Sequence, residues 1–163
     1  MDYADLIPDF VRRTLANLDL VKRAAAAGDP SAFEVTQLWN SLLGLVVAPR
    51  EKDVGSLPRT RLPELYAQGW PVITRGGALQ DETLVGLVSA MRIAIAHFHV
   101  EFQADSEGVI QGVALWNVKT DEKGRPIPDG PHRWDGRLGV AELEKLARNI
   151  AGTYLMTFGR RAA

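Results

Sequence analysis

Residues 84–97 read LVGLVSAMRIAIAH, and this stretch decides the fold expected for the chain. Its apolar residues recur every three or four positions, which predicts one helix, and Arg92 is its only formally charged residue. The core stripe comprises Leu84, Leu87, Val88, Met91 and Ile95. The opposite side has no lysine or glutamate; it comprises Gly86, Ser89, Ala90, Ile93, Ala96 and His97. A helix without a charged face is usually covered on both sides, so we expect a helical bundle on one side and a second subunit on the other.

Three further long helices and a hairpin are predicted around this stretch. Helical spacing indicates one helix over 7–27, with Pro8 in its first turn, and another from about 140 to 158. Between them, a helix is expected from a cap at Asp29 or Ser31 to Val47, with a Ser31–Glu34 capping box. After His97 the apolar period changes to two, which predicts a β-hairpin ending near 118. A short helix over 63–68, a loop over 121–132 and a third short strand near 132–136 complete the expected elements.

Composition limits the classes of protein to which the chain can belong. It has 163 residues and a net charge of −1, so we expect a single domain without a basic surface for unspecific nucleic-acid binding. With no cysteine, it has neither disulfides nor thiolate metal sites. The first residues lack the basic-then-apolar pattern expected of a signal peptide, and no apolar run approaches the roughly 20 residues of a membrane span. We therefore expect a soluble cytoplasmic protein that does not bind membranes.

Two segments offer polar surfaces beside the central helix. In the second predicted helix, an uncharged polar stripe comprises Gln37, Asn40, Ser41 and Gly44. This stripe either lines a groove or interface beside Arg92 and His97, or is a polar bundle face bonded to loops. The connection 48–80 is the most basic part of the chain and is a candidate for phosphate contacts through Arg50, Lys52, Arg59, Arg61 and Arg75.

The chemistry of Arg92 and His97 suits RNA cleavage without a metal. A histidine near its unperturbed pKa of about 6.5 can take or give a proton. The planar guanidinium of an arginine matches phosphate oxygens. Arg92 and His97 are therefore the candidate catalytic residues, with His99 and Glu101 nearby as supporting or substrate-binding residues. A histidine in the last turn of a helix also favours the helix dipole, which is a purely structural alternative.

The pair and its surroundings resemble a known family. The runs MRIAIAHFHVEF (91–102) and TQLWNSLLGLVV (36–47) are similar to HEPN domains, in which an Arg is followed after four to six residues by a His. The resemblance covers about residues 10–155 and is closest to an uncharacterised bacterial and plasmid-borne subfamily. It implies a four-helix up-and-down bundle with the hairpin between the third and fourth main helices. It also implies a cofactor-free endoribonuclease of toxin or defence type, in which a homodimer brings two motifs together.

Two alternatives to this catalytic interpretation stay open, and the tryptophans are further candidates for RNA contacts. Ile93 follows Arg92 where many HEPN nucleases have a polar residue, which favours a non-catalytic module that binds RNA or a protein such as an antitoxin. If the chain were extended here, His97, His99 and Glu101 would share one strand face and form a possible metal site. The four tryptophans can stack on bases, and Trp134, beside His132 and Arg133, is the first to test.

Overall fold

A computed structural model describes residues 3–118 and 132–159 of the protein. These residues are mainly helical, as predicted; the up-and-down arrangement of four helices and the single domain over 1–163 stay predictions. The elements in order are α1 (Tyr3–Ala26), α2 (Glu34–Val47), α3 (Glu51–Val54), α4 (Leu62–Ala67), β1 (Thr74–Gly77), α5 (Leu84–Ala96), β2 (Val100–Ala104), β3 (Ile110–Val118), β4 (His132–Gly139) and α6 (Val140–Phe158). The loop predicted over 121–132 lies outside the described residues, except for His132.

The chain divides into two compact units, of which the first is helical and comprises Met1–Pro58 and Ala141–Ala163. Its buried apolar residues include Leu18 of α1, Leu42 and Leu45 of α2, and Ile150 and Tyr154 of α6. Helix α1 packs on α2.

Ion pairs join α1 to α6 within this unit. The Lys22 ammonium lies 2.8 Å from Glu144, and Arg148 bonds both Glu144 and Asp19. The hydrogen bond from Lys22, followed by that from Arg148, lowers the pKa of the Glu144 carboxyl against the effect of burial. The hydrogen bond with Asp19 raises the pKa of Arg148. These charges therefore stabilise the contact between the two helices.

The start of α2 differs from the prediction. The predicted capping box is wrong, because Ser31 lies outside the helix and its backbone N–H and hydroxyl both donate to Asp29 Oδ1, at 2.9 and 2.7 Å. This turn delays the helix until Glu34, after Phe33, which supplies no side-chain cap. Pro8 is not in the first turn either, because α1 already begins at Tyr3.

The second unit, Arg59–Val140, contains α4, α5 and an antiparallel sheet of order β1-β4-β3-β2. The predicted hairpin is confirmed as β2 and β3, and the predicted third strand as the longer β4. Strand β1 was not predicted, because its sequence TRGG lacks an alternating apolar pattern. Helix α5 packs on β3, where the buried Asn117 Nδ2 donates to the Ala90 carbonyl at 2.9 Å.

The predicted short helix over 63–68 is confirmed as α4, which ends before Gly69 at a φ of 86°. None of the helices that the structure describes is long and apolar enough to cross a membrane.

Candidate functional site at the end of helix α5

Helix α5 carries Arg92 and ends beside His97. Thr83 caps its start by accepting a hydrogen bond from the Gly86 N–H, at 3.4 Å. At its end, the His99 N–H donates to the Ala94 carbonyl at 2.8 Å, and the Phe98 N–H donates to Ile95 at 3.1 Å. This pair of bonds is the Schellman motif, which satisfies the last carbonyls of a helix. The predicted helix is thus confirmed, with His97 as its C-cap.

The left-handed position of this motif is occupied by Phe98, at a φ of 56°. Glycine or asparagine usually takes this position, because a Cβ clashes with the following carbonyl there. Phe98 is the only described residue other than glycine with a positive φ, and its side chain is 90% exposed. The turn beside His97 is therefore strained, and it presents an aromatic ring to solvent.

Arg92 is half-buried, whereas His97 is exposed. Five positions on an α-helix separate two residues by about 7.5 Å along the axis and by a turn of about 140°. The two side chains therefore leave the helix in different directions. Ile93 is 51% exposed beside Arg92, so part of the helix side that lacks charge is uncovered within the chain.

Three rings form a ladder that begins at His97. The centroids of His97 and His99 are 5.8 Å apart, and those of His99 and Trp116 are 5.7 Å apart, with interplanar angles of 27° and 21°. The backbone N–H of Trp116 also donates to the backbone carbonyl of His99 at 3.2 Å. His99 Nδ1 is buried without a hydrogen-bond partner among the described residues. His99 is thus held between the exposed His97 and Trp116, which lies on the outer side of the sheet, the side facing away from α5.

Glu101 lies on the same side of the sheet, one row further along. It pairs with Ala114 of β3, which pairs in turn with Arg137 of β4. The extended backbone that a His97, His99 and Glu101 metal site requires begins only at Val100, because His97 and Phe98 belong to the helix-ending turn. Within residues 3–118 and 132–159, no three His, Asp or Glu side chains are grouped to hold a metal ion.

The predicted polar stripe of α2 belongs to the first unit and does not form one open surface. Ser41 is buried and accepts a 3.4 Å hydrogen bond from Gln37 Nε2, while Asn40 is exposed. Phe10 of α1 covers Gly44, where a Cβ would lie 2.8 Å from the ring. Asn40 and Gln37 are the members of the stripe that keep polar atoms near solvent.

Two expectations about RNA contacts change in the structure. Trp134 is 1% exposed, so its proposed role as the first base-stacking tryptophan is wrong; its ring belongs to the core. In the basic connection, Arg59 pairs with Asp81 and Arg61 with Glu82, at 3.3 and 3.8 Å. Much of the positive charge expected there is therefore balanced locally.

Sequence reasoning missed a shallow groove on the outer side of the sheet. It has a volume of 280 Å³ and is lined by Glu101, Ala114, Leu115, Trp116, Asp135, Gly136 and Arg137. The alternation of β3 and β4 puts their odd and even residues on opposite sides, but only the pairing register brings these particular residues together. Trp116 was one of the four tryptophans considered as base-stacking residues, whereas no pattern in the local sequence marked Asp135 or Arg137 as part of a site.

The comparisons with known proteins agree with the motif. The resemblance of the chain to HEPN domains is confirmed by a match to a family model. A family model described as HEPN pEK499 p136 matches residues 1–160, and the chain belongs to that family. No curated protein and no solved structure matches it.

Proposed function

We propose that the protein is a metal-independent endoribonuclease that acts as a homodimer, with Arg92 and His97 of both copies in one composite site. The observation that carries this proposal is the exposed imidazole of His97 at the end of α5, five residues after Arg92, in a chain of a HEPN family. An exposed imidazole can exchange protons with a substrate, which an imidazole inside the core cannot do.

The proposed reaction is a transesterification at one phosphodiester. The 2′-hydroxyl oxygen forms a bond to phosphorus while the bond from phosphorus to the 5′-oxygen breaks. One imidazole takes the proton of the 2′-hydroxyl, and the protonated imidazole of the other copy gives a proton to the departing 5′-oxygen. The Arg92 guanidinium stabilises the charge on the remaining phosphate oxygens. The products are a 2′,3′-cyclic phosphate and a 5′-hydroxyl.

The surface of α5 supports a dimer. Ile93, Ala96 and His97 are exposed on one side of the helix, and this side carries no formal charge. Apolar surface of this kind is stabilised when a partner covers it. A second copy related by a two-fold axis would bring the same side of its own α5, and with it the second histidine.

The test is cleavage of a defined single-stranded RNA in the presence of EDTA. We expect cleavage by the unmodified protein and at least a hundredfold loss in His97→Ala and Arg92→Ala, since a general acid–base group usually contributes about 10²–10⁴ and a group that stabilises developing charge about 10²–10³. Arg12→Ala, which removes an exposed arginine of α1, is the matched control and should retain activity.

The oligomeric state is measured in parallel by sedimentation, and activity should fall on dilution together with the dimer. For the toxin or defence role, expression of the unmodified chain should arrest growth and His97→Ala should not. RNA binding without cleavage would refute the catalytic proposal in favour of the non-catalytic HEPN module that Ile93 suggests. Equal cleavage by His97→Ala would exclude this site.

A further inference from the structure

The groove on the outer side of the sheet exists because a small residue lies between large ones. Ala114 has Glu101 on one side and Arg137 on the other, as direct partners in the sheet. The next outward residue of β3 is Trp116, which is paired with Asp135. Ala114 therefore forms a floor, and the four larger side chains form its rim. At 280 Å³ the groove is below the range of about 300–1,000 Å³ for drug-sized ligands, which suits one ring system.

The rim of the groove carries two carboxylates, Glu101 and Asp135. Within the described part of the chain, neither Glu101 nor Asp135 forms an ion pair or a side-chain hydrogen bond. The absence of a side chain at Gly76 of β1 leaves room for Asp135, because a Cβ at that position would overlap the Asp135 Oδ1 atom. Both carboxylates can therefore accept hydrogen bonds from a ligand, and hydrogen bonds to an ionised carboxylate are roughly twice as strong as those between neutral groups.

The ring ladder connects this groove to the proposed catalytic histidine. His97 stacks on His99 at 5.8 Å, and His99 stacks on Trp116 at 5.7 Å, so the groove begins two ring steps from His97. Trp116 is partly exposed and lines the groove. Single-stranded RNA is bound by stacking of splayed bases on aromatic side chains, with hydrogen bonds to their Watson–Crick edges.

We infer that this groove binds one base of the single-stranded RNA held at Arg92 and His97, and that it selects guanine; the inference rests on the proposed function. Guanine is the standard base whose Watson–Crick edge has two adjacent N–H donors, N1–H and N2–H₂, which match the two oxygens of one carboxylate. The ring stacks on Trp116, and Glu101 or Asp135 accepts the two hydrogen bonds. Arg137 at the rim offsets the charge of the two acids and attracts the neighbouring phosphate.

Binding is measured by fluorescence anisotropy with full-length His97→Ala, so that the probe stays intact. The probes are labelled uridine decamers with one central guanosine, one central adenosine or neither. We expect the guanosine probe to bind roughly tenfold more tightly than the others, the usual discrimination by a bidentate base contact. Trp116→Ala should weaken binding of all three probes by about tenfold, through loss of stacking.

Glu101→Gln and Asp135→Asn identify the carboxylate. At least one of them should abolish the guanosine preference while leaving the affinity for the uridine probe within about twofold. Glu107→Gln, the same change on the exposed β2–β3 turn, should alter neither quantity. Circular dichroism checks the fold of each variant, and because Glu101 is exposed, its variant tests the groove even if Trp116→Ala does not fold.

The outcomes separate this inference from the proposed function. Equal affinity for the three probes, or a preference that survives both carboxylate variants, overturns the guanine subsite even if the protein cleaves RNA through His97. A guanosine preference lost in a carboxylate variant establishes the subsite, including in a protein that proves unable to cleave.

Discussion

Replacing Phe98 by glycine should stabilise the protein. Phe98 has a φ of 56°, and a residue with a Cβ costs about 1–2 kcal/mol in the left-handed region. Glycine relieves this cost but loses roughly 0.5–1 kcal/mol more backbone entropy on folding. Because the ring is 90% exposed, its removal sacrifices little buried surface. The net gain is about 0.5–1 kcal/mol, which for a chain of this length raises the melting temperature by about 2 °C.

Phe98→Ala separates the backbone from the ring. Alanine also lacks the ring but keeps the Cβ and its left-handed penalty, so its free energy of unfolding should stay near that of the unmodified protein. Urea titrations followed by far-UV circular dichroism give all three values under the same conditions. If the free energy of unfolding of Phe98→Gly is no higher than that of Phe98→Ala, the strain assigned to this turn is not present in the folded protein.

Three further substitutions test the packing and charge of the two units. Glu144→Gln should lower the free energy of unfolding by about 0.5 kcal/mol at pH 7. Because the folded state depresses the pKa of this carboxyl, its contribution is present above the ordinary value of 4.5 and is lost as the pH falls through the folded pKa; urea titrations from about pH 3 to 7 measure this loss. Gly86→Ala should destabilise by about 2 kcal/mol in thermal unfolding, since its Cβ would overlap the Asp81 carbonyl oxygen, although alanine is the better helix former. Asn117→Asp should cost about 3 kcal/mol in the same assay, because a buried carboxylate would then face the Ala90 carbonyl.

Each of these substitutions has a control on the same chain. Gly152→Ala in α6 has open space at the Cβ position and should stabilise by up to about 1 kcal/mol. Asn17→Asp, at an exposed position of α1, should change stability by less than about 0.5 kcal/mol. Glu107→Gln should show no comparable pH-dependent loss. If Gly86→Ala stabilises the protein as Gly152→Ala does, the close approach at Asp81 is wrong. If Glu144→Gln has the same free energy of unfolding as the unmodified protein at every pH, the ion pairs of Glu144 do not stabilise the fold.

Local periodicity was sufficient to predict the long helices and the hairpin. The bounds of α5 and α6 follow from apolar residues three and four apart, and β2 and β3 follow from alternation on either side of a turn. The short β1 and α3 have no such repeat, because four residues are too few to express one. Ser31 was misassigned as a helix cap because it belongs to a turn with Asp29, and α2 begins only at Glu34.

The sequence by itself determined that Arg92 and His97, the proposed catalytic pair, lie five positions apart at the end of one helix, because local periodicity sets that helix. Only the tertiary structure decided the surroundings of His97. The ring ladder to Trp116, the row of Glu101, Ala114 and Arg137, and the burial of Trp134 all depend on the register of β2, β3 and β4. Strand register is fixed by contacts between residues distant along the chain, and alternation within one strand does not specify them.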